Sequence, residues 1–294
     1  MERRKLGQTG LEVSLLGFGG SEIGDSSVDQ ATVERLLNAA LDAGLNVIDT
    51  GECYGQSEEK IGRAVAHRRA EFHLFTKCGH TSGLEGQDWE PGMLERSIGR
   101  SLQRLKTDRL DLIQLHSCDE ATLRKGDAID VLVRARDAGK VRWVGYSGDN
   151  APANYAVACG AFDVLQTSIN IADQLGLDEW VKAASERGMG IIAKRPIANA
   201  AWKHDLPEEA YGYEYSVRLK ALAYPFLRKE NDVQTALSFT ATVPGVDTMI
   251  VGTKNPARWA ENAALLESGD LSQEEYDAIR GRWRAVSQSW TARS

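Results

Sequence analysis

The sequence predicts an α/β fold, a single (β/α)8 TIM barrel with an N-terminal β-hairpin, forming one domain over residues 1–294. Two observations carry this expectation. Short apolar runs alternate with longer amphipathic ones, and the alternation repeats eight times along the chain. The first strand-to-helix turn, Gly17-Phe18-Gly19-Gly20-Ser21-Glu22-Ile23-Gly24, lacks the G-x-G-x-x-G spacing of an open dinucleotide-binding sheet. No fitting acidic residue follows it about 20 positions on. Eight units in a chain of this length match a closed barrel better than a doubly wound sheet.

The elements follow in order. Turn signals at Gln8 to Gly10 between short extended pieces predict the hairpin. Strands are expected at Leu15 to Phe18, Asn46 to Asp49, Phe72 to Lys77, Leu110 to His116, Val141 to Ser147, Val164 to Ile169, Gly190 to Lys194 and Thr248 to Val251. The first helical pattern, Asp29 to Ala43, puts Val33, Leu36, Leu37, Ala40 and Leu41 on one stripe. Further helices are expected at Glu58 to Ala66, Met93 to Leu105, Leu123 to Ala138, Pro152 to Cys159, Leu177 to Glu186, Asp232 to Ala241 and Pro256 to Leu266. Gly44, Gly139 and Gly188 stand where left-handed helix caps belong. Strict alternation implies parallel strands joined by right-handed crossovers.

Composition narrows the function. A chain of 294 residues with 42% hydrophobic content buries enough surface to need neither disulfides nor a structural metal. No Pro/Gly/Ser-rich stretch or charge block divides it. The net charge of -7, with Lys and Arg dispersed, argues against nucleic acid as a partner. The four cysteines show no metal-ligand or disulfide spacing, which predicts no metal site and a cytoplasmic protein. Nowhere does an apolar run approach the roughly 18 residues of a membrane span.

In this fold the carboxyl ends of the strands build the active site. The polar residues there are Asp49, Lys77, His116, Ser147, Gln166 and Lys194, with Tyr54 in the loop after strand two. Period-two alternation groups His73, Phe75 and Lys77 on one face, and Leu112, Gln114 and His116 on another. A buried ammonium needs a partner, and Asp49 on the neighbouring strand supplies one. A phenol with a pKa of about 10 becomes a usable proton donor near neutral pH when a cation stabilises its anion, a part that Lys77 can play for Tyr54. A ring N–H of His116 can hold a carbonyl oxygen as negative charge develops there.

The run Ile48-Asp49-Thr50-Gly51-Glu52-Cys53-Tyr54-Gly55, followed by Thr76-Lys77 and Leu115-His116, resembles the aldo-keto reductases. The likeness extends to Lys140-Val141-Arg142-Trp143-Val144-Gly145-Tyr146-Ser147 and to Gly252-Thr253-Lys254-Asn255-Pro256 leading to Arg258, Glu261 and Asn262. The resemblance implies an NADP(H)-dependent oxidoreductase, with NAD(H) as the alternative cofactor, interconverting a small carbonyl and its alcohol. It implies Tyr54 as general acid or base, Asp49 and Lys77 as the groups that tune it, and His116 as the residue that orients the substrate.

It further implies that Ser147 and Gln166 hold the nicotinamide carboxamide and that Gly252, Thr253, Lys254, Arg258, Glu261 and Asn262 grip the adenosine end. Lys254 and Arg258 beside a helix start favour a 2'-phosphate. Arg195 is placed to reach the pyrophosphate or to cap its strand end. Gly19 and Gly20 permit a tight turn and are candidates for cofactor contact. Two departures stand out: many members have Asn where this chain has Gly148, and an aromatic ring where it has Ala193-Lys194-Arg195-Pro196.

Cys53, Cys78 and Cys118 lie close in sequence to the predicted chemistry, and oxidation of them is expected to lower activity modestly. The longest loop, Ile197 to Tyr215, carries Trp202, His204, Tyr211, Tyr213 and Tyr215; with Trp89 and Trp290 these either wall an aromatic substrate pocket or pack the loop against the barrel, and the sequence favours neither. Two rival readings are a cofactor-binding regulatory subunit with little turnover, as in channel-associated relatives, and a Schiff-base aldolase using Lys77. A carboxylate beside Lys77 argues against the second.

Overall fold

In a computed structural model describing residues 1–269 and 271–292, the apolar runs become strands buried on both faces. Of the predicted domain, Asp270, Arg293 and Ser294 lie outside the described residues. A two-stranded antiparallel hairpin, β1 (Arg3–Lys5) and β2 (Glu12–Ser14), precedes the barrel. The barrel strands are β3 (Leu16–Gly19), β4 (Val47–Asp49), β5 (His73–Cys78), β6 (Leu110–His116), β7 (Val141–Ser147), β8 (Val164–Ser168), β9 (Gly190–Lys194) and β10 (Thr248–Val251). They close in sequence order, all parallel, with β10 pairing β3.

Side-chain alternation divides the core in two. Val47, Phe75, Leu112, Val164, Ile192 and Ile250 fill the barrel interior together with Leu6, Leu11 and Val13 of the hairpin segment. Their neighbours along the strands, such as Ile48, Leu74, Ile113 and Ile191, pack outward against the helices. The hairpin closes the amino-terminal end of the barrel. The Gly7 N–H donates to Asp247 Oδ2 at 3.1 Å, and a Cβ at Gly190, the first residue of β9, would meet Leu6 Cγ at 2.7 Å.

The surrounding helices are α1 (Gln30–Asp42), α2 (Ser57–Val65), α3 (Pro91–Leu105), α4 (Glu120–Lys125), α5 (Asp127–Asp137), α6 (Asn150–Cys159), α7 (Trp180–Glu186), α8 (Tyr213–Leu222), α9 (Asp232–Thr242), α10 (Arg258–Glu267) and α11 (Gln273–Val286). Asp29 and Asp119 cap α1 and α4 through the N–H groups of Thr32 and Thr122. The expected caps Gly44, Gly139 and Gly188 have φ of 98°, 74° and 72°.

Several boundaries differ from the sequence expectation. The helix expected from Leu123 to Ala138 is two helices, because Gly126 takes φ 84° and breaks the hydrogen-bond ladder. The helix expected from Leu177 begins at Trp180, after a short turn over Leu175–Asp178. Helix α8 begins inside the segment read as a loop, burying Tyr215, Leu219 and Leu222. Helix α11 was not expected, although Ser272 and Glu275 form a reciprocal capping box at its start. Among the described residues, no helix is long and apolar enough to cross a membrane, and no cluster of metal-ligating side chains occurs.

Candidate active site

Strand register brings the predicted tetrad to the carboxyl rim. Lys77 pairs across the sheet with Gln114, His116 with Ser147, and Ser147 with Gln166. Lys77 and Asp49 are each only 1% exposed. The Lys77 ammonium donates to Asp49 Oδ1 and, at 2.8 Å, to the carbonyl of Thr50. Asp49 Oδ2 accepts from Gln114 Nε2 at 3.0 Å and from Gln166 Nε2 at 2.9 Å. Ser147 Oγ donates to Gln166 Oε1 at 3.2 Å, which ties a predicted cofactor pair into the same network.

A buried charge is tolerated when it is both paired and hydrogen-bonded, and Asp49 meets both conditions. Burial pulls the Lys77 pKa down, but the Asp49 carboxylate together with Tyr54 and Cys53 outweighs it, and the net shift is upward. Lys77 therefore remains an ammonium. Gln114 was grouped by alternation with His116 but was not expected in the site; its bond to Asp49 puts it there.

Tyr54 is held by a close approach of two loops. The Gln56 N–H donates to the carbonyl of Gly24 at 3.0 Å, and a Cβ at Gly24 would lie 1.9 Å from the Tyr54 carbonyl oxygen, so only glycine fits. Lys77 Nζ lies 5.1 Å from the centroid of the Tyr54 ring. The two groups meet as expected, but the predicted acidification does not follow in this state. Burial pushes the phenol up, and Lys77 pulls it down by less. Tyr54 is thus a protonated phenol facing an ammonium.

His116 is half-buried, with its ring edge-on to Tyr54 at 5.8 Å. Burial, Lys77 and Lys194 hold its pKa well below the usual histidine value, so the ring is neutral. Its Nδ1 lies 3.4 Å from Cys53 Sγ. Burial raises all three nearby thiols, Cys118 to about 12, and Cys78 and Cys118 belong to the core behind the strands. Of the three, Cys53 is the one in contact with the tetrad.

His80, Asp88 and Asp149, outside the sequence expectation, complete the rim together with Lys194 and Arg195, which were within it. His80 stacks edge-on against His116 with centroids 5.1 Å apart, and its Nδ1 lies 2.9 Å from Asp88 Oδ2. Lys194 pairs with buried Asp149 at 2.9 Å, and Asp149 also accepts from Thr167 Oγ1 and the Ser168 N–H. Arg195, with φ 58°, donates to the Tyr211 hydroxyl at 2.7 Å and to Ser168 Oγ at 3.0 Å.

The aromatic residues separate. Tyr211 meets Arg195, and Trp89 Nε1 donates to the His116 carbonyl at 2.9 Å. Trp202 instead donates to Asp232 at 2.7 Å, Tyr215 is fully buried, and Trp290 packs on Trp283 and Arg218. Trp202 and Trp290 serve packing and Tyr215 is buried beside Ser168 and Arg195, so the expected aromatic pocket is smaller than the loop's composition suggested. Gly148 has a local cause: a Cβ there would lie 2.4 Å from the Tyr146 hydroxyl, which donates to the Cys118 carbonyl at 2.8 Å.

The predicted cofactor residues at the strand ends lie side by side. Gly20 N–H donates to the Asp49 carbonyl at 2.7 Å, and a Cβ at Gly252 would meet the Gly19 carbonyl at 3.1 Å. Thr253 Oγ1 accepts from the Asn255 N–H at 3.0 Å. Lys254 lies 3.4 Å from Asp25, and Arg258 lies 3.0 Å from Glu261, both pairs half in solvent. Asn262 is buried, and its Nδ2 has no hydrogen-bond partner.

The carboxyl rim of this closed parallel barrel thus gathers a lysine–aspartate pair, a tyrosine and a neutral histidine. The sequence profile of the aldo/keto reductase family matches residues 15–284, and the chain belongs to that family. It is 34% identical to the 6-dehydroglucose reductase of Novosphingobium aromaticivorans over 94% of each chain. It is 28% identical to the L-galactose dehydrogenase of Arabidopsis thaliana over 95% of this chain and 93% of the relative. The solved structure of aldo-keto reductase AKR11C1 from Bacillus halodurans, in its holo form, superposes with a TM-score of 0.82 at 26% identity, covering 96% of both chains.

Proposed function

We propose that this protein is an NADP(H)-dependent oxidoreductase that interconverts a small aldehyde or ketone with its alcohol, using Tyr54 as general acid and base. The observation that carries the reading is the contact between a protonated Tyr54 and a charged, Asp49-paired Lys77 beside a neutral His116. When bound, NADP(H) supplies the hydride in reduction or receives it in oxidation. Tyr54 enters reduction carrying its proton and gives it to the carbonyl oxygen. Lys77 stabilises the phenolate left behind, an effect that is stronger in a dry site than in water. His116 donates a ring N–H to the same oxygen and keeps it within reach of the phenol.

Support for the cofactor comes from the far side of the rim. The unpartnered Asn262 amide fits a nitrogen acceptor such as an adenine ring offers. The ion pairs of Lys254 and Arg258 are half exposed, and such pairs are worth about 0–1 kcal/mol, so exchanging them for a phosphate costs little. Helix α10 starts at Arg258 with no side-chain cap; the Arg258 N–H donates to the Asn255 carbonyl at 3.1 Å, and the N–H groups that follow it in the first turn face outward for an anion. Free thiols at Cys53, Cys78, Cys118 and Cys159 fit a cytoplasmic setting. The names of two relatives support a sugar-like carbonyl as substrate. A lysine held charged by Asp49 is a poor Schiff-base nucleophile, which disfavours the aldolase alternative.

Tyr54→Phe is the direct test. Turnover with NADPH and a small aldehyde is expected to fall by about 10²–10⁴-fold, while NADPH fluorescence still reports binding. Undiminished turnover would remove Tyr54 from the mechanism.

A further inference from the structure

A second imidazole stands beside the one that the proposed reaction uses. His80 lies in the loop between β5 and α3, and this loop is pinned at both ends. Asp88 Oδ2 lies 2.9 Å from His80 Nδ1, and Asp88 Oδ1 accepts the Thr81 N–H at 2.8 Å. The Trp89 backbone N–H donates to the Gly79 carbonyl at 2.8 Å, while its indole N–H donates to the His116 carbonyl at 2.9 Å. Gly79 has φ 149°, and a Cβ there would meet Trp89 Nε1 at 2.8 Å. The loop thereby fixes His80 at 5.1 Å from His116 and 5.6 Å from Trp89, centroid to centroid.

The partners of the two rings assign opposite tautomers to them. Burial keeps Cys53 a thiol, which has a hydrogen to give, and His116 Nδ1 at 3.4 Å is positioned to receive it. The one proton of the neutral His116 ring then belongs on Nε2. At His80 the partner is a carboxylate, which only accepts, so in the neutral ring the proton belongs on Nδ1 and the opposite nitrogen, Nε2, keeps its lone pair. One ring donates and its neighbour accepts.

We propose that His80, oriented by Asp88, is a specificity-determining residue that accepts a hydrogen bond from a hydroxyl on the carbon next to the reacting carbonyl, so that the site selects α-hydroxycarbonyl compounds. The proposal rests on the reading that Tyr54 and His116 bind the carbonyl oxygen. Each hydrogen bond spans about 3 Å, so rings 5.1 Å apart can hold two oxygens carried on adjacent carbons of one small molecule. The carbonyl oxygen accepts from His116 and the hydroxyl donates to His80. A simple aldehyde or a diketone has no hydrogen for His80 and leaves it to water.

The test compares 2-hydroxypropanal with propanal, two aldehydes differing by that hydroxyl, in NADPH oxidation by the wild type, His80→Ala and His80→Gln. The wild type is expected to prefer 2-hydroxypropanal. In His80→Ala the kcat/KM ratio of the two aldehydes should fall by about tenfold, the worth of one such hydrogen bond. His80→Gln, which keeps an acceptor oxygen, should restore part of the ratio. A role confined to holding the loop would lower both aldehydes equally and leave the ratio unchanged, and that result overturns the proposal, as does an unaltered His80→Ala enzyme. NADPH oxidation by the wild type with neither aldehyde would instead overturn the reading of the reaction, and the subsite with it.

Discussion

Replacing Asp49 by asparagine keeps the side-chain shape and removes the charge facing Lys77. Both groups are only 1% exposed, so the ammonium of Lys77 would be left buried with no counter-charge and only neutral carbonyl acceptors such as that of Thr50. Breaking one half of a buried pair costs about 3–5 kcal/mol. At about 2–4 °C per kcal/mol for a domain of this order, the melting temperature should fall by roughly 6–20 °C. Lys77→Met should cost less, because the carboxyl it leaves behind keeps the amide donors of Gln114 and Gln166 and can take up a proton. The double variant Asp49→Asn/Lys77→Met removes both charges together and should recover at least about 2 kcal/mol relative to the sum of the single variants. Urea unfolding of the four proteins measures this directly. Single-variant losses that add to within about 0.5 kcal/mol would show that the two groups are not coupled through charge. Turnover should stay low in the double variant even as stability returns, which separates the role of the pair in the fold from its role in proton transfer.

Two further outcomes are expected. Burial raises the Asp247 carboxyl from 3.8 to about 6, so the folded state binds its proton more tightly than the unfolded chain does. Its contribution to stability is therefore complete below pH 3.8 and is lost as the pH rises through about 6. Asp247→Asn should flatten the stability profile across that window in melting curves, and an unchanged profile would contradict the assignment. Lys254→Ala and Arg258→Ala should each weaken NADPH relative to NADH by about tenfold or more, as measured by fluorescence titration, because a charge-assisted contact to the extra phosphate is lost. Equal weakening of both cofactors would move these side chains off that phosphate.

The strands were legible because barrel strands are buried on both faces and read as unbroken apolar runs. The expected spans for β6, β7, β9 and β10 match the structure residue for residue. The tetrad was legible because those runs fix where each strand ends, and chemistry in this fold gathers at one end. Helix α11 was not, since Ile279, Arg280 and Trp283 are its buried positions and leave too sparse an apolar stripe to stand out among its charges. The break at Gly126 was hidden by helical periodicity on both sides of it. His80 and Asp88 were missed because a loop has no period, and nothing in the sequence says that its two ends fold back on each other. The state of Tyr54 was misjudged for a different reason. Its neighbour Lys77 could be named from spacing, whereas burial, the larger influence on the phenol, is a property of the assembled rim.

Leu6, Leu11 and Val13 act as a stopper in the floor of the barrel. With the floor sealed, anything that reaches the rim residues arrives and departs from above. The segment that opens the chain thus continues the packed core to its lower edge, and its substitution should be felt in the stability of the barrel, at the end opposite the candidate site.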